Sequence, residues 1–391
     1  MRGHVQAALL AMLLLPTPLE SQTTAPRPTG ASVFPVREAV DVSRFKFTNP
    51  AASFLDLPAR RAALKTASTP LLLDEIASAK FGMSCRDAMA LPIPEPGFTV
   101  PGFYVDRAGW RDAVQVFIGF EKTVSNLANA QLVAEDDYHA QCLVDLLSKW
   151  AQEKALENFG YSPDEPQAWY TVESALFAAA FALSMVRDQL PDRQDDLAEI
   201  DAWMVRLARG HSAISGLPST ACCNNHFYRR GLYAAIIGIM AEDDALFQYG
   251  ARAYLTALDL ATADGWLKLE MMRGRRAAHY QNFATLYLVF LAELLESQGY
   301  DAYAMRGTHG ARLGDIAGRA LDAIITPEVV LAHGGSGEQI TPMERDPQFL
   351  VWLEPYAHRV DDPRVNDLLQ ERRPLYNRGL GGSLTLLFMP N

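Results

Sequence analysis

The sequence predicts an all-α protein folded as a single domain of about ten or more helices. Three observations carry this. Apolar residues recur at helical spacing over several turns in segment after segment, strand-like alternation is nearly absent, and no shift in composition marks a second domain. In chain order the helical patterns run over Val114–Val133, Tyr138–Asn158, Trp169–Arg187, Asp195–Ala208, Tyr228–Met240, Ala245–Ala261, Arg276–Ser297 and Ala311–Ile324. Polar or Gly/Pro-containing turns separate them, as at 160–166 (GYSPDEP) and 334–337 (GGSG). The strand-like exception is Ser383–Phe388 (SLTLLF), expected as one short strand. No repeat of fixed period occurs, which argues against a solenoid of near-identical units. Helices joined in antiparallel hairpins can instead close into a ring with a cleft at one end.

The N-terminus has the pattern of an export signal. Arg2 supplies a positive start, Val5–Leu15 is apolar, and Pro16 and Pro18 break the run before small and polar residues. The apolar run is shorter than the roughly 20 residues that a membrane-spanning helix needs. The expected organisation is a signal over 1–21, a Pro/Thr/Ser-rich lead-in over 22–50 and the helical domain over 51–391. After signal removal the chain is expected off the membrane, as a monomer in the periplasm or outside the cell. Its four cysteines, Cys85, Cys142, Cys222 and Cys223, suit that compartment as disulfides. Their spacing does not resemble a zinc site, and three pairings are open. A formal net charge of -11 excludes nucleic acid as the main partner, since phosphate binding requires a dominant basic surface. Where the arginines cluster is therefore more informative than their total.

Two clusters stand out. The first is Cys222–Arg230 (CCNNHFYRR), which follows a polar loop and opens an apolar helix. Asn224 or Asn225 can cap that helix with a side-chain oxygen. One cap accounts for one asparagine. The other asparagine and His226 stand at a helix N-terminus, where N–H groups and the helix dipole favour an anion. The second cluster, 273–282 (RGRRAAHYQN), opens the helix running to Ser297, with Arg276 and Tyr280 four residues apart on one face.

Together the clusters provide Asn, His, Arg and Tyr, the residue types required for β-elimination from a uronic acid. The C5 proton of a uronate is weakly acidic because its carboxylate is already negative. Hydrogen bonds from Asn and Arg let charge flow into that carboxylate as the proton leaves. A base takes the C5 proton and an acid protonates the departing O4. Histidine titrates near neutrality, and a tyrosine beside arginines can give or take a proton. No metal or organic cofactor is needed for this chemistry, and the expected partner is an anionic polysaccharide.

These residues resemble the family-5 polysaccharide lyases, the alginate (polymannuronate) lyases. The family's Asn-Asn-His-x-Tyr motif matches Asn224, Asn225, His226 and Tyr228, and its Glu…Arg…Arg…Tyr segment matches Glu270, Arg273, Arg276 and Tyr280. The Cys142–Ala151 helix and Trp352–Tyr356 (WLEPY) are similar to two further family segments. The resemblance implies an incomplete (α/α) toroid with a polymer cleft. It also implies that Asn225, His226 and Arg273 neutralise the C5 carboxylate while Tyr280 acts as acid. For mannuronate and glucuronate, whose H5 and O4 lie on the same side, it makes Tyr280 a candidate base too. For guluronate the base is His226. It further implies a disulfide between Cys222 and Cys223, leaving Cys85–Cys142 as the second bridge.

Arg229 replaces a tryptophan usual in the family, removing a sugar-stacking platform and adding charge, and His279 replaces a small residue before Tyr280. Both lie where sugar is expected, and both leave glucuronan or a mixed uronate polymer as alternatives to alginate. Further candidates for substrate contact are Asn224, Tyr228 and Arg276 within the two clusters, Tyr104 on a loop over the cleft, Gln167, Trp169 and Tyr170 at a helix start, and Arg373 and Arg378 for a more distant uronate. Two competing readings are a hydrolase, for which Glu270 and Asp264 are the nearest carboxylates, and a non-catalytic polysaccharide-binding protein.

Overall fold

A computed structural model describes residues 34–80, 84–160, 166–213, 223–341 and 346–391. The expected signal over 1–21 lies outside the described residues. Eight helices of thirteen residues or more form the frame among these residues: α1 (Gln115–Val133), α2 (Tyr138–Gln152), α3 (Gln167–Ser184), α4 (Gln194–Ala213), α5 (Asn225–Met240), α6 (Asp244–Leu260), α7 (Ala277–Ser297) and α8 (Leu313–Ile325).

Sequence patterning sorts them into two layers. α7 buries 18 of its 21 residues, whereas α4 buries seven of 20, on the single stripe Leu197, Ile200, Trp203, Met204, Leu207, Ala208 and His211. A helix apolar all round must sit inside, and one with a single stripe must sit outside. Accordingly α1, α3, α5 and α7 pack one against the next as an inner layer, and each is backed by its hairpin partner α2, α4, α6 or α8. α5 and α6 approach closely through Gly231 and Gly250. A Cβ at Gly231 would stand 2.4 Å from the Ala253 methyl, and one at Gly250 would stand 2.7 Å from the Gly231 carbonyl oxygen.

The ring is open between α7 and α1, and the C-terminal segment fills the gap. On the α7 side the Asn282 amide donates to the Phe349 carbonyl and accepts from the Trp352 indole. On the α1 side Ser125 donates to the Arg378 carbonyl, and Asn129 bonds the backbone at Gly381 and Ser383. The fold is thus an incomplete (α/α) toroid, as the resemblance implied.

Three boundaries differ from the sequence expectation. Ser383–Phe388 is not a strand. Gly382–Ser383 pairs briefly with Tyr376–Asn377, and Leu384–Phe388 is a short helix whose start is capped by Ser383 accepting from the Leu386 N–H. All five residues of that helix are buried, so their apolar pattern carried no information about period. Helix α2 stops at Gln152 because Lys154 and Leu156 adopt positive φ, a turn that buries Leu156. The lead-in is also part of the domain from residue 34 onward. Phe34–Ala39 is helical and Val40, Val42 and Phe45 are buried. Arg252 donates to the carbonyls of Arg37 and Val40, and the Tyr300 hydroxyl accepts from the Lys46 N–H with its one proton shared between the carbonyls of Arg44 and Lys46.

The Cys85–Cys142 disulfide ties a short helix to the start of α2. Cys223 is also disulfide-bonded, while its expected partner Cys222 lies outside the described residues. No helix among the described residues is long and apolar enough to cross a membrane.

Candidate active site

The site grows from the N-terminus of α5. Asn224 is the cap, its side-chain oxygen accepting from the His226 N–H at 3.1 Å. Asn225, the first helical residue, is buried and donates twice to Glu270. Its backbone N–H reaches one carboxylate oxygen at 2.6 Å and its side-chain Nδ2 reaches the other at 2.9 Å. Glu270 lies in the one-turn helix Lys268–Met271, fully out of solvent. Burial pushes its carboxyl up to about 7, against the pull of Arg273 and of both Asn225 hydrogen bonds.

The half-buried His226 ring stacks on Tyr170 with centroids 4.2 Å apart and planes at 15°. Burial, then the positive charges of Arg273, Arg229 and Arg230, hold its pKa well below the ordinary histidine value, so the imidazole is neutral near pH 7. Three residues after Glu270, Arg273 carries its guanidinium over the Tyr280 ring, 4.0 Å from the centroid. Burial raises the Tyr280 phenol above its ordinary pKa, Arg273 opposes that rise, and Tyr104 adds to it. Tyr104 and Tyr280 share a hydrogen bond between hydroxyls at 3.2 Å, and the Arg276 guanidinium stands 4.5 Å from the Tyr104 ring centroid. Arg273 thus acts on His226, Tyr280 and Glu270 together.

Beside this cluster lies a cavity of about 830 Å³. Tyr104, Arg229, Arg276 and His279 line it, with aromatic walls that include Phe177, Phe283 and Phe349. Asn225, His226, Arg273 and Tyr280 are not among its lining residues. They adjoin it through Tyr104 and Arg276. His279 stacks on Phe283 and meets Phe349 edge-on, and its pKa falls to about 4 through burial and then the charges of Arg276 and Arg273. At the other end Arg378 pairs with the buried Glu121 and donates to Gln348.

The remaining candidates divide between the cleft and the core. Gln167 anchors the Tyr104 loop by accepting from the Phe103 N–H. Trp169 and Tyr228 are each 1% exposed, and the Tyr228 hydroxyl donates to the Cys223 carbonyl. Both therefore pack the core, and the expectation that they touch sugar does not hold. Arg229 lines the cavity but offers it little free charge. Its guanidinium donates to the Tyr170 carbonyl and to Ser174, and lies 3.6 Å from the buried Glu173. Arg373 forms a two-point pair with the fully buried Glu354, away from the cavity. The hydrolase reading lacks its carboxylate pair, since Glu270 is committed to Asn225 and Asp264 is exposed and bonded to Thr262. Sequence reading passed over Glu173, although it is the one charged residue in the apolar run 167–184, a signal that a buried partner must exist. The aromatic wall carried no local signal, because its members come from α3, α7 and the C-terminal segment.

Comparison with known proteins agrees with the fold. The alginate lyase family profile matches residues 79–329. A polysaccharide lyase of Stenotrophomonas maltophilia is 33% identical over 334 residues, covering 83% of this chain and 96% of that one. An alginate lyase of Pseudomonas syringae pv. syringae is 28% identical, covering 73% of this chain and 75% of its own. Among solved structures, alginate lyase A1-III from Sphingomonas species A1 aligns with a TM-score of 0.78 at 29% identity, covering 93% of this chain and 100% of that chain. A tetrasaccharide complex of a variant of alginate lyase A1-III reaches 0.80 at 28% identity, covering 90% and 99%. The chain belongs to the alginate lyase family, the family-5 polysaccharide lyases that its two motifs resemble.

Proposed function

We propose that this lyase is exported and cleaves the polymannuronate of alginate by β-elimination, leaving a 4,5-unsaturated uronate end. The observation that carries the reading is the placing of one arginine, Arg273, with its guanidinium 4.0 Å over the Tyr280 ring and its charge felt by His226, beside an aromatic cavity.

In this reading Asn225 and Arg273 bind the C5 carboxylate, and their hydrogen bonds strengthen as charge flows into it. Of the two base candidates, His226, uncharged at neutral pH, accepts the C5 proton, because burial keeps the Tyr280 phenol protonated and leaves it the role of acid. The electron pair of that C–H bond forms the C4=C5 double bond, the C4–O4 bond breaks, and Tyr280 gives its proton to O4. Returning the proton from His226 to the phenolate resets the site. In mannuronate H5 and O4 lie on the same side of the ring, so acceptor and donor must work side by side. Tyr104, Arg276 and His279 meet the neighbouring sugar, and the sugar-stacking role of the missing tryptophan passes to the aromatic wall. Export to the periplasm or beyond rests on the N-terminal pattern.

Incubation with polymannuronate, polyguluronate and glucuronan, followed by the ultraviolet absorbance of the unsaturated product, tests the reading. Polymannuronate is expected to react fastest, and His226→Ala to lose at least about a hundredfold in kcat. New reducing ends without that absorbance would make the chain a hydrolase, and binding without cleavage would make it a polysaccharide-binding protein.

A further inference from the structure

Glu270 is a carboxylate sealed from solvent, and both of its oxygens are occupied by one residue, Asn225. Burying an ionised carboxylate is costly, and one N–H donor could be satisfied by a neutral amide. Two N–H donors from a single asparagine need an acceptor at each position, and an ionised carboxylate supplies two while a glutamine supplies one. The pair therefore fixes which way the Asn225 amide faces. Nδ2 points to Glu270, and Oδ1, buried and without a hydrogen bond, faces elsewhere together with the second Nδ2–H.

We infer that Glu270 is a positioning residue for the elimination. It locks the Asn225 amide so that its second Nδ2–H is held ready to donate to the uronate carboxylate at C5. The inference rests on the lyase reading above and adds a residue to it. Its physical content is orientation. An amide free to turn would present either edge to the substrate, and the fraction in the wrong orientation would be lost from each encounter. With a neutral group at 270, a donor would face the amide nitrogen, and the Asn225 side chain would turn about its terminal bond to bring Oδ1 to that donor. The groups facing Glu270 are Asn225 and Tyr228 from α5, Arg273 from its own segment and Tyr280 from α7. Since burial raises Glu270 to about 7, protonation on the acid side removes one of the two acceptors within the working pH range.

The test compares the unaltered chain, Glu270→Gln, and Glu270→Gln combined with Asn225→Asp, on polymannuronate across pH 6 to 9. Glu270→Gln is expected to lose about tenfold to a hundredfold in kcat with KM within about threefold. It should also lose the inflection near pH 7 and keep its melting temperature within a few degrees. The double variant restores a donor–acceptor pair at the same place, so it should regain any lost stability while kcat stays low. The inference is overturned if Glu270→Gln keeps the kcat and pH profile of the unaltered chain. Recovery of both stability and kcat in the double variant would make Glu270 a structural prop and also overturn it. His226→Ala, assayed alongside, separates the two levels. Normal turnover in that variant, or no unsaturated product from the unaltered chain, sinks the lyase reading itself, whereas a dead His226→Ala with a normal Glu270→Gln sinks only this inference.

Discussion

Removing the Tyr280 hydroxyl separates proton donation from everything else this residue does. Tyr280→Phe deletes one oxygen from a side chain that is 9% exposed and leaves the ring in place, so Arg273 keeps the aromatic face it covers at 4.0 Å. The lost hydrogen bond is the 3.2 Å contact with Tyr104, worth about 0.5–1.5 kcal/mol to the fold. For a chain of 391 residues the unfolding entropy is about 0.8 kcal/mol per degree, so the melting temperature should fall by no more than about 2 °C. Loss of a general acid costs about a hundredfold to ten-thousandfold, which is about 3–5 kcal/mol in the barrier. Tyr104→Phe is the control, because it removes the same hydrogen bond from the other side and leaves the Tyr280 proton where it was. Initial rates from the ultraviolet absorbance of the product, with thermal melts of both variants, give the comparison. Tyr280→Phe should lose at least about a hundredfold in kcat and Tyr104→Phe less than about tenfold. Equal losses in the two variants would refute the reasoning, since the shared hydrogen bond and not the proton would then be what matters. So would a Tyr280→Phe enzyme within threefold of normal.

Two further outcomes concern charge in the cleft walls. His279 is neutral in the folded protein down to about pH 4, while the unfolded chain takes up that proton near 6.5. Stability should therefore fall by roughly 3 kcal/mol as pH drops through that window, then level off, and urea unfolding of His279→Phe should show a shallower loss. An unchanged slope would show that His279 is not held neutral. Arg229→Met takes the guanidinium from the buried Glu173, which keeps the neighbouring His211 at 3.8 Å, and should cost about 3–5 kcal/mol, or about 4–6 °C of melting temperature, with much of it regained when Glu173→Leu is added. If Arg229→Met instead raises KM without moving the melt, its charge serves the substrate and not the wall.

What was readable in advance follows the range of each interaction. Helical period, the presence of a capping asparagine at the start of α5 and the adjoining arginines are local, set by residues within a few positions of one another, and the sequence alone determined them, while the structure decided that Asn224 and not Asn225 is the cap. The residue types for elimination were legible for the same reason, as two short motifs. Trp169 and Tyr228 were misassigned because an aromatic ring serves core and cleft equally, and only burial distinguishes the two. Arg229 lines the cavity, but the sequence could not show that its charge is engaged, because its partner Glu173 lies on another helix. Tertiary structure alone decided which long-range pairs form: Glu270 with Asn225, Glu173 with Arg229, and Glu121 with Arg378 at the cavity's other end. A charge buried on one helix must be matched by a group on another, and no local pattern records which one the packed ring will bring alongside it.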